Sequence, residues 1–354
     1  MFDFDEYKRL GEPGKIEKSQ NWQTAIGLQQ VDGLKPSAYL IETARENIEG
    51  GITFEEVKER LKNYYIAKPV KTDGDNRTEE ADKVSAHIAE ILSEKTFTFS
   101  PAEYIGIHKR LFEGVFSHAG VMRDYNITKG EWVLDGDTVQ YASTAIIGNA
   151  LDYDFEKERK FKYKGLSKRQ VAEHLAEFTT SVWQIHPFCE GNTRTTAVFL
   201  IKHLRSLGFN SVSNNLFADN AWYFRNALVR AATTNILEGV YPDRIYIDHF
   251  FGNLLLGEKN ILRNRDLHIH ADKNATVKSD NATVNATVKI SATQKAICEL
   301  LGGNGKLTAE DMANDIGKDV TTIKRAIKGL KDKGLLARIG SDKTGYWKVK
   351  GGGE

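Results

Sequence analysis

The sequence predicts a mainly α-helical protein with one β-hairpin and a C-terminal winged helix-turn-helix unit. Three observations predict it. Apolar residues recur at helical spacing through most of the first 256 residues, alternating β-type runs flank Asp135-Gly136-Asp137, and the last 60 or so residues run helix, helix, helix, strand, strand. At 354 residues the chain is long enough for two or three packed units. Formal net charge is +1 and pI about 7.7, which gives no general bias toward nucleic acid or an anionic membrane. Cys189 and Cys298 are the only cysteines, so no disulfide framework or cysteine-rich zinc site is available and a reducing compartment is favoured. The acidic N-terminus lacks an apolar signal core and no run reaches about 20 apolar residues, so the expected location is cytoplasmic, with no membrane partner.

From the N-terminus, Trp22, Ile26 and Val31 share a helical face that Gly33 ends, and Lys35-Pro36-Ser37 turns the chain. Tyr39, Ile41 and Ile48 mark a second helix before Gly50-Gly51, and Thr53 caps a third with Val57 and Leu61. Residues 1–66 are thus expected to form a small helical module, succeeded by a larger helical domain over 67–266. Within that domain, helices are predicted over 79–94, 101–116, 168–185, 192–207, 220–234 and 244–256, with caps at Ser100-Pro101, Ser167 and Asp219. The hairpin is expected over residues 131–141. Three near-copies of Asn-Ala-Thr-Val, at 274–277, 281–284 and 285–288, make 267–291 a low-complexity linker. Residues 292–354 form the winged unit, whose third helix carries Lys324, Arg325, Lys328 and Lys331 and is expected to bind DNA or a protein.

The chemistry concentrates in His186-Pro187-Phe188-Cys189-Glu190-Gly191-Asn192-Thr193-Arg194, at a predicted helix-loop-helix junction. Such a junction points orphan backbone N–H groups at one spot. Gly191 permits close approach, Asn192 offers an amide, and Arg194 adds a forked cation for phosphate oxygens. Glu190 has the carboxylate that Mg²⁺ takes alongside phosphates, and His186 suits a general base. A lone histidine at a helix end is usually a structural one, but these types within nine residues have no simple packing explanation.

This loop resembles the Fic family signature, His-x-Phe-x-(Asp/Glu)-Gly-Asn-Gly-Arg-x-x-Arg. His186, Phe188, Glu190, Gly191, Asn192 and Arg194 match in register, and the resemblance extends over roughly residues 79–256. It implies a protein adenylyltransferase: His186 as base for a Ser, Thr or Tyr hydroxyl on a target protein or on the chain itself, Glu190 on Mg²⁺, and Gly191, Asn192, Thr193 and Arg194 on ATP. Thr193 replaces the second Gly of the pattern, with a hydroxyl available to a phosphate, and Ala197 replaces the last Arg; Arg225 or Arg230 is a candidate to supply that charge, although surface or salt-bridge roles are the expected ones for both. These departures keep open another phosphate-containing donor, removal of AMP, or a nucleotide-sensing DNA-binding regulator. The resemblance also implies that the hairpin is a target-positioning flap, with Trp132, Val133, Val139 and Tyr141 as its faces. It further implies that the N-terminal module resembles the antitoxin helices of that family. Asp32-Gly33 is then the inhibitory-motif candidate, with Glu49-Gly50 as a second, and it is altered at both ends: Asp32 stands where the motif has Glu, and the arginine partner is missing at Ala197, so a mainly structural module with weak inhibition is expected. The sequence is compatible with an oligomer.

Overall fold

The computed structural model describes residues 4, 6, 7, 12–68, 73–209, 215–271, 291–303, 305, 307–332, 336–339 and 346–349. Helix α1 (Pro13–Gly27) begins with Pro13 in its first turn, where a missing N–H costs nothing. It tightens into a 3-10 turn, Leu28–Asp32, that ends on Gly33 at φ 67°. Ser37 caps α2 (Ala38–Glu49), and Thr53 with Glu56 forms a reciprocal capping box on α3 (Phe54–Ile66). α1 lies along α4 (Asp73–Ser93). The buried Asp82 on α4 accepts from the Ser37 N–H and hydroxyl and from the Tyr65 hydroxyl, tying three elements together. Burial holds its carboxyl above the usual range.

Next come α5 (Pro101–Phe112), α6 (Ile147–Lys160), α7 (Lys168–Ile185), α8 (Asn192–Ser206), α9 (Asn215–Asp219), α10 (Ala221–Ala232) and α11 (Ile245–Leu256). Ser100 and Ser167 cap α5 and α7 as expected, whereas α10 starts after Asn220, not at Asp219. One apolar cluster includes Trp22, Leu40 and Leu61 of the N-terminal helices together with Leu111, Leu175, Phe199, Phe224 and Phe250. The first 66 residues therefore share one core with helices α4 to α11. Trp22 alone, fully buried with its indole N–H on Asn47 Oδ1 at 3.0 Å, is a side chain whose removal typically costs about 3–5 kcal/mol.

The expected hairpin is corrected. Residues 131–141 contain no strand; Trp132–Leu134 form a 3-10 turn, and Asp135 (φ 57°) and Gly136 (φ 89°) reverse the chain. The turn chemistry is as predicted, but Val133 and Leu134 are buried side by side, which no two-faced ribbon allows. Ile269 N–H donates to the Val133 carbonyl, so a neighbouring loop supplies the pairing a second strand would have made.

The C-terminal unit has α12 (Ala292–Gly303), α13 (Ala309–Ile316), α14 (Val320–Asp332) and strands β1 (Leu336–Ile339) and β2 (Tyr346–Val349), antiparallel with Leu336 opposite Val349. Its core joins Ile297, Leu301, Met312, Ile323, Ile327, Leu330 and Leu336. The low-complexity repeats lie outside the described residues. Among the described residues no helix is long and apolar enough to cross a membrane.

Candidate active site

The helix-loop-helix junction is built by α7 and α8. α7 ends when His186 enters the left-handed region at φ 51°, a conformation that strains a residue with a Cβ. The strain is held by Arg123, a residue that no motif or periodicity in the sequence singles out. Its Nε donates to the His186 carbonyl at 2.8 Å, Nη1 to Tyr125 O at 2.9 Å, and Nη2 to the carbonyls of Ala142 and Ile185. Its backbone N–H also donates to Pro187 O. Arg123 is buried, so each of these charge-assisted bonds forms away from water.

On the other side of the loop, Gly191 caps α8 at φ 75°, and a Cβ there would lie 2.2 Å from the Phe112 ring. Glycine is required on both counts. Asn192 closes the loop on itself: its Oδ1 accepts from Phe188 N at 3.0 Å and its Nδ2 donates to Phe188 O at 2.7 Å. The Asn192 amide is therefore engaged by the loop. Phe188 is fully buried and stacks on His108 at 3.6 Å. Gly120 N–H donates to His108 Nδ1, so Nε2 carries the proton and donates to Glu190 O at 3.1 Å. Burial lowers the His108 pKa to about 4, leaving the ring neutral.

His186 itself is 4% exposed, and neither ring nitrogen has a hydrogen-bond partner among the described residues. Tyr141 lies over the imidazole at 4.2 Å and Trp183 meets it edge-on at 5.3 Å. Desolvation, reinforced by the Lys129 charge, pushes its pKa well below the ordinary value, so a neutral ring with an available lone pair results. Glu190 is exposed and pairs with Lys129 at 3.3 Å. Among the described residues no three His, Cys, Asp or Glu side chains converge on a metal site.

Two expectations change at the distal end of the loop, those for Thr193 and Asp32, while Arg225 and Arg230 take the salt-bridge roles expected of them. The Thr193 hydroxyl accepts from Trp183 Nε1 at 2.9 Å, so it buttresses α7 against α8 and faces the protein. Arg225 pairs with the buried Glu131 at 2.7 Å and Arg230 with Asp243 and Leu267 O, so neither replaces the charge missing at Ala197. Ala197 is itself in the core. The second change concerns Asp32. Its carboxylate meets Arg194 Nε at 2.9 Å, while Glu80 takes Nη2 at 2.7 Å and Gln29 takes Nη1 at 3.0 Å. Phe112 covers the guanidinium at 4.8 Å. An arginine partner for Asp32 therefore exists within the loop, and the 3-10 turn after α1 reaches it.

The segment read as a flap is placed differently from expectation. Trp132 is exposed beside Trp222, Val133 and Val139 are buried, and Tyr141 bonds to Glu131 while covering His186. Gly33 closes the turn that carries Asp32, and Arg77 Nη2 donates to Asp32 O at 2.8 Å.

Residues 98–204 match the Fic/DOC family. A probable protein adenylyltransferase Fic of Escherichia coli (strain K12) is 31% identical over 93 residues, 26% of this chain and 44% of the relative. A probable protein adenylyltransferase y4lH of Sinorhizobium fredii (strain NBRC 101917 / NGR234) is 27% identical over 131 residues, 37% of this chain and 64% of the relative. The chain thus spans less than two thirds of either. Among solved structures, the N-terminal FIC domain of Bep8 from Bartonella sp. 1-1C is 19% identical, with a TM-score of 0.42 over 53% of this chain and 88% of that one. A Fic family protein from Desulfovibrio desulfuricans G20 is 12% identical, with a TM-score of 0.42 over 98% of this chain and 91% of that one.

Proposed function

We propose that this chain is a Fic-type nucleotidyltransferase that moves AMP from ATP to a Ser, Thr or Tyr hydroxyl of a protein, another or its own. The observation that carries the reading is a neutral, desolvated imidazole at one end of a closed loop whose other end is a helix N-terminus. The family match over 98–204 and the adenylyltransferase names of two relatives support the class of chemistry.

In this reading the target hydroxyl oxygen attacks the α-phosphorus, its proton passes to His186, and the bond to pyrophosphate breaks. The first N–H groups of α8 have no carbonyl behind them in the helix and face the phosphates, with Gly191 allowing the approach. Arg194 takes phosphate oxygens once its present partners release it. Glu190 is the acidic side chain of the loop and is exposed, which suits Mg²⁺, a cation that keeps most of its waters and shares phosphate oxygens. Glu190 would hold Mg²⁺, which would supply charge neutralisation for the departing pyrophosphate, and Lys129 would first have to release that carboxylate. Thr193 and Asn192 act by fixing the loop, through Trp183 and Phe188. Tyr141 borders the path a target segment takes to His186.

The contacts on Arg194 give the N-terminal helices an inhibitory role: Gln29 and Asp32, together with Glu80 of α4, occupy the guanidinium that the nucleotide needs. The C-terminal unit is read as a winged helix that docks duplex DNA on α14. Lys324, Arg325, Lys328 and Lys331 are exposed on the face opposite the buried Ile323, Ile327 and Leu330. Salt-sensitive retention of the full chain on duplex DNA, weakened by Lys324→Ala with Lys328→Ala, is expected; unchanged retention refutes the docking face. The transferase reading is tested by incubating the protein with α-labelled ATP and Mg²⁺, wild type against His186→Ala. Covalent label on wild type alone supports it; equal label on both rejects it.

A further inference from the structure

His186 is sealed, and the seal is fastened from outside the catalytic helices. Both imidazole nitrogens are buried beneath the Tyr141 ring, so no hydroxyl reaches them until residues 129–142 move. This cover is held at several points. Lys129 pairs with Glu190, Glu131 with Arg225, Gln184 Nε2 donates to Gln140 O, and Ile269 N–H donates to Val133 O. A further tie leads elsewhere: Asn235 Nδ2 donates to Asp137 Oδ2 at 2.6 Å.

Asn235 belongs to a tight turn between α10 and α11. Its N–H and carbonyl exchange hydrogen bonds with Val240 at 2.9 and 2.8 Å, and Gly239 at φ 70° closes the turn on Ile236 O. The next residue, Ile236, is 6% exposed, and what buries it is the C-terminal unit. It joins the cluster of Ile297, Cys298, Leu301 and Met312, with Leu237 and Tyr241 packed alongside. Packing against Ile297, Cys298 and Leu301 places this hook against α12. Adjacent residues of one stapled turn thus enter two structures. Asn235 grips the cover of His186, and Ile236 sits in the core of the C-terminal unit. Their Cα atoms are separated by about 3.8 Å, and the paired backbone hydrogen bonds with Val240 keep the turn from absorbing a displacement.

We infer that docking of the C-terminal unit on residues 235–241 controls the opening of the 129–142 cover, and so the access of a target hydroxyl to His186. The functional consequence rests on the transferase reading, but the wiring does not. The tie is suited to a switch because the Asn235–Asp137 bond is exposed, so it is made or lost at modest cost. The hook meets α12 whereas the cations of α14 lie on another helix, so a ligand on α14 does not compete with the hook for one surface.

The test uses the full chain and two readouts that need no catalysis: amide hydrogen exchange, and modification of His186 by diethyl pyrocarbonate. Asn235→Ala cuts the tie and leaves the hook docked. The expected result is faster exchange across 129–142, about five- to tenfold, with a matching rise in His186 modification and unchanged exchange over 294–301. Ile236→Ser loosens the hook, and faster exchange over 294–301 should be accompanied by the same change over 129–142. Exchange over 168–185 serves as the check that the catalytic core remains folded. The inference is overturned if Asn235→Ala leaves 129–142 and His186 at wild-type values, or if Ile236→Ser speeds 294–301 alone. Label transfer is read separately. Its absence in all three proteins alongside the predicted exchange pattern would reject the transferase reading and leave the wiring standing.

Discussion

Replacing Asp32 by Ala removes one of three groups that hold Arg194, and the structure gives the size of the effect. The Arg194 side chain is 2% exposed and is engaged by Asp32, Glu80 and Gln29. Asp32 is 36% exposed, so its attraction is screened and is worth about 1 kcal/mol, whereas Glu80, better buried, contributes roughly 1.5–3 kcal/mol. Disengaging Arg194 is then easier by about 1 kcal/mol in Asp32→Ala, a gain of roughly fivefold in the fraction available to phosphate. Nucleotide affinity by calorimetry and initial rate of label transfer should both rise about fivefold. Adding Glu80→Gln should raise them further, by tenfold or more, at a cost in stability because Arg194 loses its remaining anion. A change below twofold in affinity and rate for both variants would refute the idea that these side chains restrain Arg194. The sequence sought the arginine partner of Asp32 at Ala197, whereas the fold brings Arg194 to it.

The same geometry predicts other outcomes. Gly191→Ala places a Cβ 2.2 Å from Phe112 at a positive φ, so it should destabilise the fold by about 2–4 kcal/mol in denaturant titration and abolish transfer; a loss below about 0.5 kcal/mol contradicts the close approach. Lys129→Met frees the Glu190 carboxylate and should lower the Mg²⁺ concentration for half-maximal transfer by about two- to fivefold, a modest gain because Glu190 is exposed. His108 has its pKa lowered to about 4 in the fold, so the unfolded chain binds the extra proton first as pH falls. Stability is therefore full above about pH 6.5 and declines toward pH 4 by roughly 3 kcal/mol from this residue, and His108→Gln should flatten that slope in urea midpoints measured across the range.

Much of the helical framework was readable because local signals and tertiary packing agree. Ser100-Pro101 and Ser167 announce α5 and α7 by capping, and the apolar residues of α10 and α11 largely mark the sides they bury, while α8 is buried all round from Asn192 to Leu204. Helix α6 was not read, since Ile147, Leu151 and Phe155 are diluted by the run of charged residues on its outer face. The 131–141 segment shows why alternation misleads. Trp132 points out and Val133 in, as in a strand, but the alternation arises from a 3-10 turn wedged against α10. The loop from His186 to Arg194 carried its chemistry within nine residues and could be seen as a site. Its supports could not. Arg123 lies in a polar stretch without periodicity, and its clamp on four carbonyls exists only once α7 has delivered the His186 turn to it. Asp32 and Arg194 are brought together by α1 lying along α4, a packing contact that no spacing along the chain reports.

The most direct test of the central claim is the fate of the α-phosphate. Wild-type protein incubated with Mg²⁺ and ATP labelled at the α position should acquire covalent label with release of pyrophosphate, and His186→Ala should acquire none while still binding nucleotide. Label arriving from the γ position instead, or α-label appearing equally on His186→Ala, would contradict a histidine-based transfer of AMP.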